Sequence, residues 1–267
     1  MSNTIKSGMK WYRIKAMMLK YYYLTINSMD RIFDVFYWPT IGLIIFGLTT
    51  MYLQSVSDVP ALVVYLIGGT MIWALFERVQ QDIGVFVLED FWSRNIANSF
   101  VTPIRSDEIF VSLLLFGMIR AVASFTVMAT LALVAYHFNI FHGGIASLLF
   151  VIPLFLFAWA IGLFVTGMIF RFGTRIQVVA WSITYLLQPF AAVYYPLETL
   201  PSSMQAIAHL FPVMYAFEGF RTAYQGTFSN SMFIMALVLS IGYFIIGYVT
   251  FTTSIKKARE TGFLTKY

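Results

Sequence analysis

Residues 195–230 read YPLETLPSSMQAIAHLFPVMYAFEGFRTAYQGTFSN, and this stretch decides how the rest of the chain is interpreted. It is largely apolar, but prolines and charged residues interrupt it: Pro196, Pro201, Pro212, Glu198, Glu218 and Arg221. A membrane crossing needs about 20 consecutive apolar residues, and the uninterrupted pieces here are shorter. Backbone that breaks at membrane depth is tolerated only where protein or a water-filled cavity surrounds it. The stretch therefore predicts a segment that enters a membrane and turns back beside a pore or transport path.

The composition indicates a protein that crosses the membrane several times. Hydrophobic residues form 60% of the 267-residue chain and charged residues only 11%, whereas soluble domains carry about 25% charged residues. No hydrophilic region is long enough for a separate soluble domain, so residues 1–267 are predicted to form one membrane domain. The chain contains no cysteine, which excludes disulfides and thiolate metal sites.

Apolar runs predict six membrane-spanning helices in an all-α protein. Their approximate bounds are 33–53, 62–81, 109–136, 145–170, 178–195 and 232–251. Of the 17 Lys and Arg residues, 15 lie before the first span, at the second and fourth connections, or after the last span. Because basic residues collect on the cytoplasmic side, both termini are predicted to be cytoplasmic, and residues 195–230 would enter from outside.

Two amphipathic helices are predicted on the cytoplasmic side. In residues 5–30 basic side chains occupy one helix face and apolar ones another, which is typical of a helix in the membrane interface; a plain juxtamembrane anchor explains the pattern equally well. In residues 88–102 aromatic side chains recur at helical spacing, and Pro103 ends the helix. The candidate docking residues for a soluble partner are Glu89, Asp90, Phe91, Trp92, Arg94 and Phe100. A helix resting on lipid remains the alternative for this second segment.

Charged residues within apolar segments form two candidate pairs. Glu77 and Arg120 lie in the second and third predicted spans, where an ionised group costs at least ~2.5 kcal/mol and normally faces a partner inside the bundle. We therefore predict an ion pair between them, either structural or part of a path. Glu218 and Arg221 are three residues apart on one helix face and can pair locally. Their pair would either gate an outer opening or only satisfy both charges.

The sequence lacks the motifs of several enzyme classes. It has no GxxxxGK[ST] phosphate-binding loop, no GxSxG elbow and no histidines at metal-ligand spacing. We therefore expect no catalytic site, metal or cofactor in this chain, and no nucleic-acid partner. Aromatic residues are frequent at the start of the first span, at residues 33–37, and again at residues 185–195. They could line a path for sugars or lipids, but such residues more often pack or form an interfacial belt.

The order of these features resembles the membrane subunits of type-2 ABC exporters, which carry polysaccharides, teichoic acids, nodulation factors or drugs. The sharpest likeness lies in PLETLP at residues 196–201 and in the positions that follow it: Gln205, Pro212, Tyr215, Glu218 and Arg221. A weaker likeness is TPI at residues 102–104, followed by Glu108. Phe211 stands where such permeases often carry Asn. The resemblance covers nearly the whole chain.

The resemblance implies a transporter divided between polypeptides in the bacterial inner membrane. Two permease subunits, as a homodimer or a heterodimer, would form the pathway. Two separate ATPase subunits would bind ATP and Mg²⁺ and dock on residues 88–102, close to the N-terminal helix. Residues 196–228 would form two short re-entrant helices at the outer gate. The substrate stays open among polysaccharides, glycolipids and amphiphilic drugs. A membrane enzyme acting on lipid-linked substrates and a passive channel are the competing interpretations.

Overall fold

A computed structural model describes residues 9–56, 59, 61–93 and 102–260, and every regular element within them is helical. The all-α prediction is therefore confirmed for this part of the chain. In chain order the helices are α1 (Trp11–Ile26), α2 (Met29–Val56), α3 (Ala61–Trp92), α4 (Ser106–Tyr136), α5 (Gly144–Leu149), α6 (Val151–Phe172), α7 (Gln177–Leu187), α8 (Ser202–Ala208), α9 (Pro212–Tyr224) and α10 (Asn230–Glu260). Helix α3 includes the π-helical segment Val64–Gly68. Short 3-10 turns cover Gly173–Ile176, Gln188–Phe190 and Leu197–Thr199.

Five helical segments among the described residues are long and apolar enough to cross a membrane: Met29–Val56, Ala61–Trp92, Asp107–Tyr136, Gly144–Phe190 and Asn230–Ala258. The fourth is 47 residues long and changes direction at Gly173, whose φ of 70° favours glycine. Helix α7 follows that turn with 11 residues, about 16 Å at 1.5 Å per residue, which is less than the ~30 Å of a bilayer core. The predicted fifth span is therefore not confirmed as a full crossing.

Helix α3 lies at the centre of the bundle. In the most apolar 18-residue stretch of α3, 67% of the residues are buried, compared with 17% in the corresponding stretches of α2 and α10. Helix α3 packs against α4 on one side and α6 on another, and α6 packs along α10. Gly247 allows α10 to approach α6 closely, because a Cβ there would lie 2.3 Å from the carbonyl oxygen of Ala160. The exposed apolar surface therefore belongs mainly to α2 and α10.

Helix α1 is amphipathic and packs against α4 and α2, and its Lys20 and Tyr21 side chains reach α3. Its buried residues are Ile14, Met17 and Tyr21, at spacings of three and four, and the Tyr21 ring lies 4.7 Å from that of Phe86 on α3. Trp11, assigned to the apolar face in the sequence, is 63% exposed. Helix α1 begins at Trp11 and ends at Ile26, so the predicted segment 5–30 is divided between α1 and the start of α2, and residues 5–8 lie outside the described residues.

The predicted helix over residues 88–102 is only partly described. Residues 88–92 are the last turn of α3, because no proline interrupts the helix between Ala61 and Trp92. Arg94 and Phe100 lie outside the described residues. Arg78, one of the basic residues at the inner end of the second predicted span, is buried in the interior of α3.

Candidate functional site

A cavity of about 520 Å³ opens between α2, α3 and α7. Its lining residues on α2 and α3 recur at three- and four-residue spacing, so one face of each helix forms a wall. Aromatic side chains dominate the lining: Trp38, Phe46, Trp73, Trp181, Tyr185 and Tyr194. Its polar lining consists mainly of the following residues: Asp34, Glu77, Arg78, Gln81 and Gln188. Such a volume and mixture are typical of small-molecule sites.

Four charged side chains form a balanced network behind one wall of the cavity. The Arg78 guanidinium lies 2.5 Å from Asp34 Oδ2 and 3.5 Å from Asp82 Oδ1. The Arg120 guanidinium lies 3.0 Å from Asp82 Oδ1 and 3.6 Å from Asp34 Oδ2. Both arginines and Asp82 are buried, whereas the Asp34 side chain is 45% exposed. Two positive and two negative charges therefore neutralise one another where α2, α3 and α4 meet.

The predicted ion pair between Glu77 and Arg120 is wrong. Arg120 instead contacts Asp82 and Asp34. Glu77 and Asp82 are five residues apart on α3, which places them about 140° apart around the helix at ~100° per residue. Asp82 therefore faces α4, while Glu77 faces the cavity. There its carboxylate accepts a hydrogen bond from Gln81 Nε2 at 2.9 Å, and Tyr185 lines the same cavity.

The sequence analysis missed Asp34 and Asp82. Asp82 is four residues after Arg78, a spacing that places both on one helix face, and the structure pairs them. That signal was present in the sequence. Asp34 lies near the start of the first apolar run, where an aspartate is ordinary, and only the packing of α2 on α3 and α4 reveals its partners.

The predicted local pair between Glu218 and Arg221 is confirmed, at 3.2 Å on α9. Arg221 is buried. Its Nη2 donates hydrogen bonds to the carbonyl oxygens of Ala192 and Val193, both at 2.5 Å, and its guanidinium lies 4.0 Å from the Tyr65 ring centre. Ala192 has a positive φ of 51°. Arg221 therefore satisfies carbonyl groups where the chain turns after α7.

Burial shifts the pKa of both members of this pair towards the neutral form. Burial raises the pKa of the Glu218 carboxyl, and Arg221 opposes that rise. Burial likewise lowers the pKa of the Arg221 guanidinium, and Glu218 opposes that fall. Glu218 also accepts a hydrogen bond from the backbone N–H of Leu197 at 3.1 Å. Each charge thus stabilises the ionised form of the other.

The other residues singled out between 196 and 215 mark the ends of short helices. Pro196 precedes the 3-10 turn that contains Glu198, Pro201 precedes α8, and Pro212 is the first residue of α9. Proline suits these positions because the first N–H groups of a helix need no intrahelical acceptor. The hydroxyl of Tyr215 lies 3.2 Å from Nδ1 of His209.

Three ion pairs connect α1 and the start of α2 to the helix ends that flank residues 93–105. Lys20 Nζ lies 2.7 Å from Asp90 Oδ1, and Arg31 Nε lies 2.8 Å from Glu89 Oε1. The Arg13 guanidinium lies 3.5 Å from Glu108 Oε2 at the start of α4. The proposed docking carboxylates Glu89 and Asp90 are therefore engaged within the subunit.

The two aromatic docking candidates differ in exposure. Phe91 is buried, and its ring lies 5.9 Å from that of Phe170. Trp92 is 50% exposed, stacks 6.3 Å from Trp181 and donates a hydrogen bond from Nε1 to Gln177 at 3.2 Å. Of the described docking candidates, Trp92 offers the most surface to another molecule.

Comparison with known proteins gives one family. The family model described as ABC-2 type transporter matches residues 16–225, which extend from α1 through α9. A comparison with curated proteins finds no significant match. The matched residues cover well over half of the chain and confirm the resemblance seen in its motifs. The chain therefore belongs to the ABC-2 type transporter family and is a multi-pass permease component of an ABC transporter.

Proposed function

We propose that this chain is the permease subunit of an ATP-driven exporter in the bacterial plasma membrane. The family match over residues 16–225 carries this proposal. The chain has no GxxxxGK[ST] loop, so separate subunits would bind ATP and Mg²⁺ and supply the energy. The cargo would be a polysaccharide, a glycolipid or an amphiphilic drug.

In this proposal α7 and the residues up to 195 complete a sixth crossing, and both termini are cytoplasmic. Helices α8 and α9 form the re-entrant hairpin at the outer gate. Helix α9 has 13 residues, about 20 Å at 1.5 Å per residue, which is too short to cross alone. It packs against α5, α6 and α10, the protein surroundings that a broken membrane segment requires.

A second permease subunit, most simply another copy of this chain, would complete the pathway. The apolar faces of α2 and α10 support this step, because they are largely unburied within one subunit. A partner subunit would cover part of this surface, and lipid the remainder. Helix α1 would lie in the cytoplasmic membrane interface, with exposed aromatic residues such as Trp11 and Tyr22 towards lipid.

Two ATPase subunits would dock around residues 88–102. The ion pairs of Arg13, Lys20 and Arg31 support a mechanical role for this region, because they join α1 and α2 to the ends of α3 and α4. A displacement of the connection would therefore reach four helices together. Trp92 would contribute directly to the docking surface, with Arg94 and Phe100.

The test is co-expression with a candidate ABC ATPase subunit, followed by purification in nanodiscs. We expect a complex that hydrolyses ATP, and we expect Arg94→Glu to reduce co-purification of the ATPase. Substitution of the phosphate-binding lysine in the ATPase is the control for hydrolysis. Failure to form a complex, or substrate flux in liposomes without ATP, would refute the proposal.

A charge swap distinguishes two possible roles of Asp90, direct contact with the ATPase and the ion pair with Lys20. Breaking its partly exposed pair with Lys20 should cost roughly 1–3 kcal/mol, between the values for surface and buried pairs. We expect Asp90→Lys to lower coupled ATP hydrolysis and the double variant Lys20→Asp/Asp90→Lys to restore most of it. If the swapped protein folds but stays uncoupled, Asp90 acts by direct contact with the ATPase.

A further inference from the structure

From the charges around the cavity between α2, α3 and α7, we infer that it binds a positively charged amphiphile, with Glu77 as the counterion and the aromatic walls holding the apolar body. This inference deepens the proposed export function and rests on it for the idea that the bound molecule is cargo. The binding itself depends only on the cavity.

The first argument is the balance of charge. Asp34 and Arg78 line the cavity but belong to the network with Asp82 and Arg120, in which two arginines neutralise two aspartates. Arg78 attracts Glu77 electrostatically, but no cation of the described residues lies within ion-pair distance of Glu77, and Arg78 is already paired with Asp34 and Asp82. The cavity wall therefore carries one negative charge in excess.

The second argument is the way Glu77 is held. Its hydrogen-bond donor, Gln81, is neutral. Gln81 fixes the carboxylate at the wall of the cavity without cancelling its charge. A partly buried carboxylate that has a donor but lacks a cation is best satisfied by a positive group from outside the chain.

The third argument is the aromatic lining, because the faces of Trp and Tyr rings attract cations electrostatically. Trp38 on α2 and Trp181 and Tyr185 on α7 line the same cavity as Glu77. Phe46 and Tyr194 stack on each other with ring centres 4.3 Å apart and form a flat wall. An ammonium or phosphonium group with an apolar body matches both the charge and the walls.

The fourth argument weighs against a neutral glycan. A glycan site needs side chains with unused hydrogen-bonding groups. Gln81 already donates to Glu77, Gln188 donates to the Tyr194 hydroxyl at 3.2 Å, and the Thr70 hydroxyl donates to the Leu66 carbonyl at 2.6 Å. Trp73 Nε1, which has no partner among the described residues, is one remaining donor in the lining. Gln81, Gln188 and Thr70 therefore each already have one partner inside the chain, and only their remaining donors and acceptors could serve a glycan.

The experiment compares two probes of similar shape and different charge. The purified chain in phosphatidylcholine nanodiscs is dialysed to equilibrium against radiolabelled methyltriphenylphosphonium or the neutral triphenylphosphine oxide, with binding to empty discs subtracted. We expect the cation to bind at least ~10-fold more tightly than the oxide, because a single unit charge in a partly desolvated site contributes that much. Equal binding of the two probes by the wild-type chain would overturn the inference.

Substitutions test whether the Glu77 carboxylate supplies the negative charge that binds the cation. Glu77→Gln should remove the preference for the cation, whereas Glu260→Gln, the same change at an exposed carboxylate near the end of α10, should preserve it. Size-exclusion elution and the melting temperature check that each variant is folded. Trp181→Leu provides an independent test of the aromatic wall and should weaken cation binding several-fold. A folded Glu77→Gln chain with unchanged preference would also overturn the inference.

A neutral oligosaccharide tests the alternative ligand. If maltohexaose displaces the cation with the same affinity from the wild-type and Glu77→Gln chains, the cavity is a glycan site and the inference fails. Different results would refute the exporter proposal. A complex that hydrolyses ATP but does not bind the cation refutes the cavity assignment alone, and cation binding by a chain that recruits no ATPase refutes the exporter alone.

Discussion

Removal of the Arg221 guanidinium should loosen the segment between α7 and α9. In Arg221→Met the apolar stem is kept, but the carbonyl oxygens of Ala192 and Val193 lose their hydrogen bonds and Glu218 loses its cation. Because the Glu218 side chain is only 15% exposed, water replaces the lost partner poorly. We therefore expect a large loss of stability from one side chain.

The magnitude follows from the contacts. Breaking a buried ion pair by removing one partner costs about 3–5 kcal/mol, and each buried polar group left unsatisfied costs about 1–3 kcal/mol. These contributions overlap, so we expect roughly 4 kcal/mol in total. At ~2–4 °C per kcal/mol for a domain of this size, the melting temperature should fall by about 10 °C. Arg221→Lys keeps the charge but cannot contact the same carbonyls, and its loss should be smaller.

Thermal unfolding in detergent, followed by intrinsic fluorescence, measures these differences. The double variant Arg221→Met/Glu218→Gln should recover part of the loss, because it removes the stranded charge. Lys256→Met is the matched control: its pair with Glu260 spans 3.9 Å with side chains 79% and 64% exposed, so its melting temperature should change by less than about 2 °C. A drop at Arg221→Met no larger than at Lys256→Met would refute the reasoning.

Two further predictions concern the interior of the bundle. Arg120→Met should lower the folded yield measured by size-exclusion chromatography, and the additional change Asp82→Asn should restore part of that yield. The additional change Glu77→Gln should restore none of it, because Glu77 is not the partner of Arg120. Rescue by Glu77→Gln would contradict the observed pairing. Gly247→Ala should lower the melting temperature, since the new methyl would lie 2.3 Å from a carbonyl oxygen of α6, whereas Gly242→Ala on the same helix meets nothing within 4 Å and should be neutral. Equal melting temperatures for the two glycine variants would argue against close packing at this site.

Local features of the fold were predictable from the sequence. Long apolar runs gave most of the spanning helices, because length and composition decide them. The prolines indicated that the apolar stretch at residues 195–230 is interrupted, and Pro212 is the first residue of α9. The pairing of Glu218 with Arg221 followed from their spacing alone. Each of these features depends on one continuous stretch of sequence and not on contacts between distant helices.

Features that depend on how helices rotate against one another were not predictable. The positions of Glu77 and Arg120 along their spans suggested that these two residues form an ion pair. The rotation of α3 about its axis instead places Asp82 towards α4 and Glu77 towards the cavity. Similarly, Glu89 and Asp90 look available in the sequence because their partners are far away along the chain. Only the packing of α1 and α2 against α3 shows that both carboxylates are engaged.

The ion pairs also constrain how the subunit can move. Asp34 on α2 contacts Arg78 and Arg120, and Lys20 and Arg13 hold α1 to the ends of α3 and α4. Separating these partly exposed pairs would cost roughly 1–3 kcal/mol for each pair. The ends of α1–α4 around residues 93–105 are therefore expected to move as one body. Since Arg78 belongs both to this network and to the cavity lining, a displacement that starts at the connection reaches the cavity wall without any of these pairs having to break.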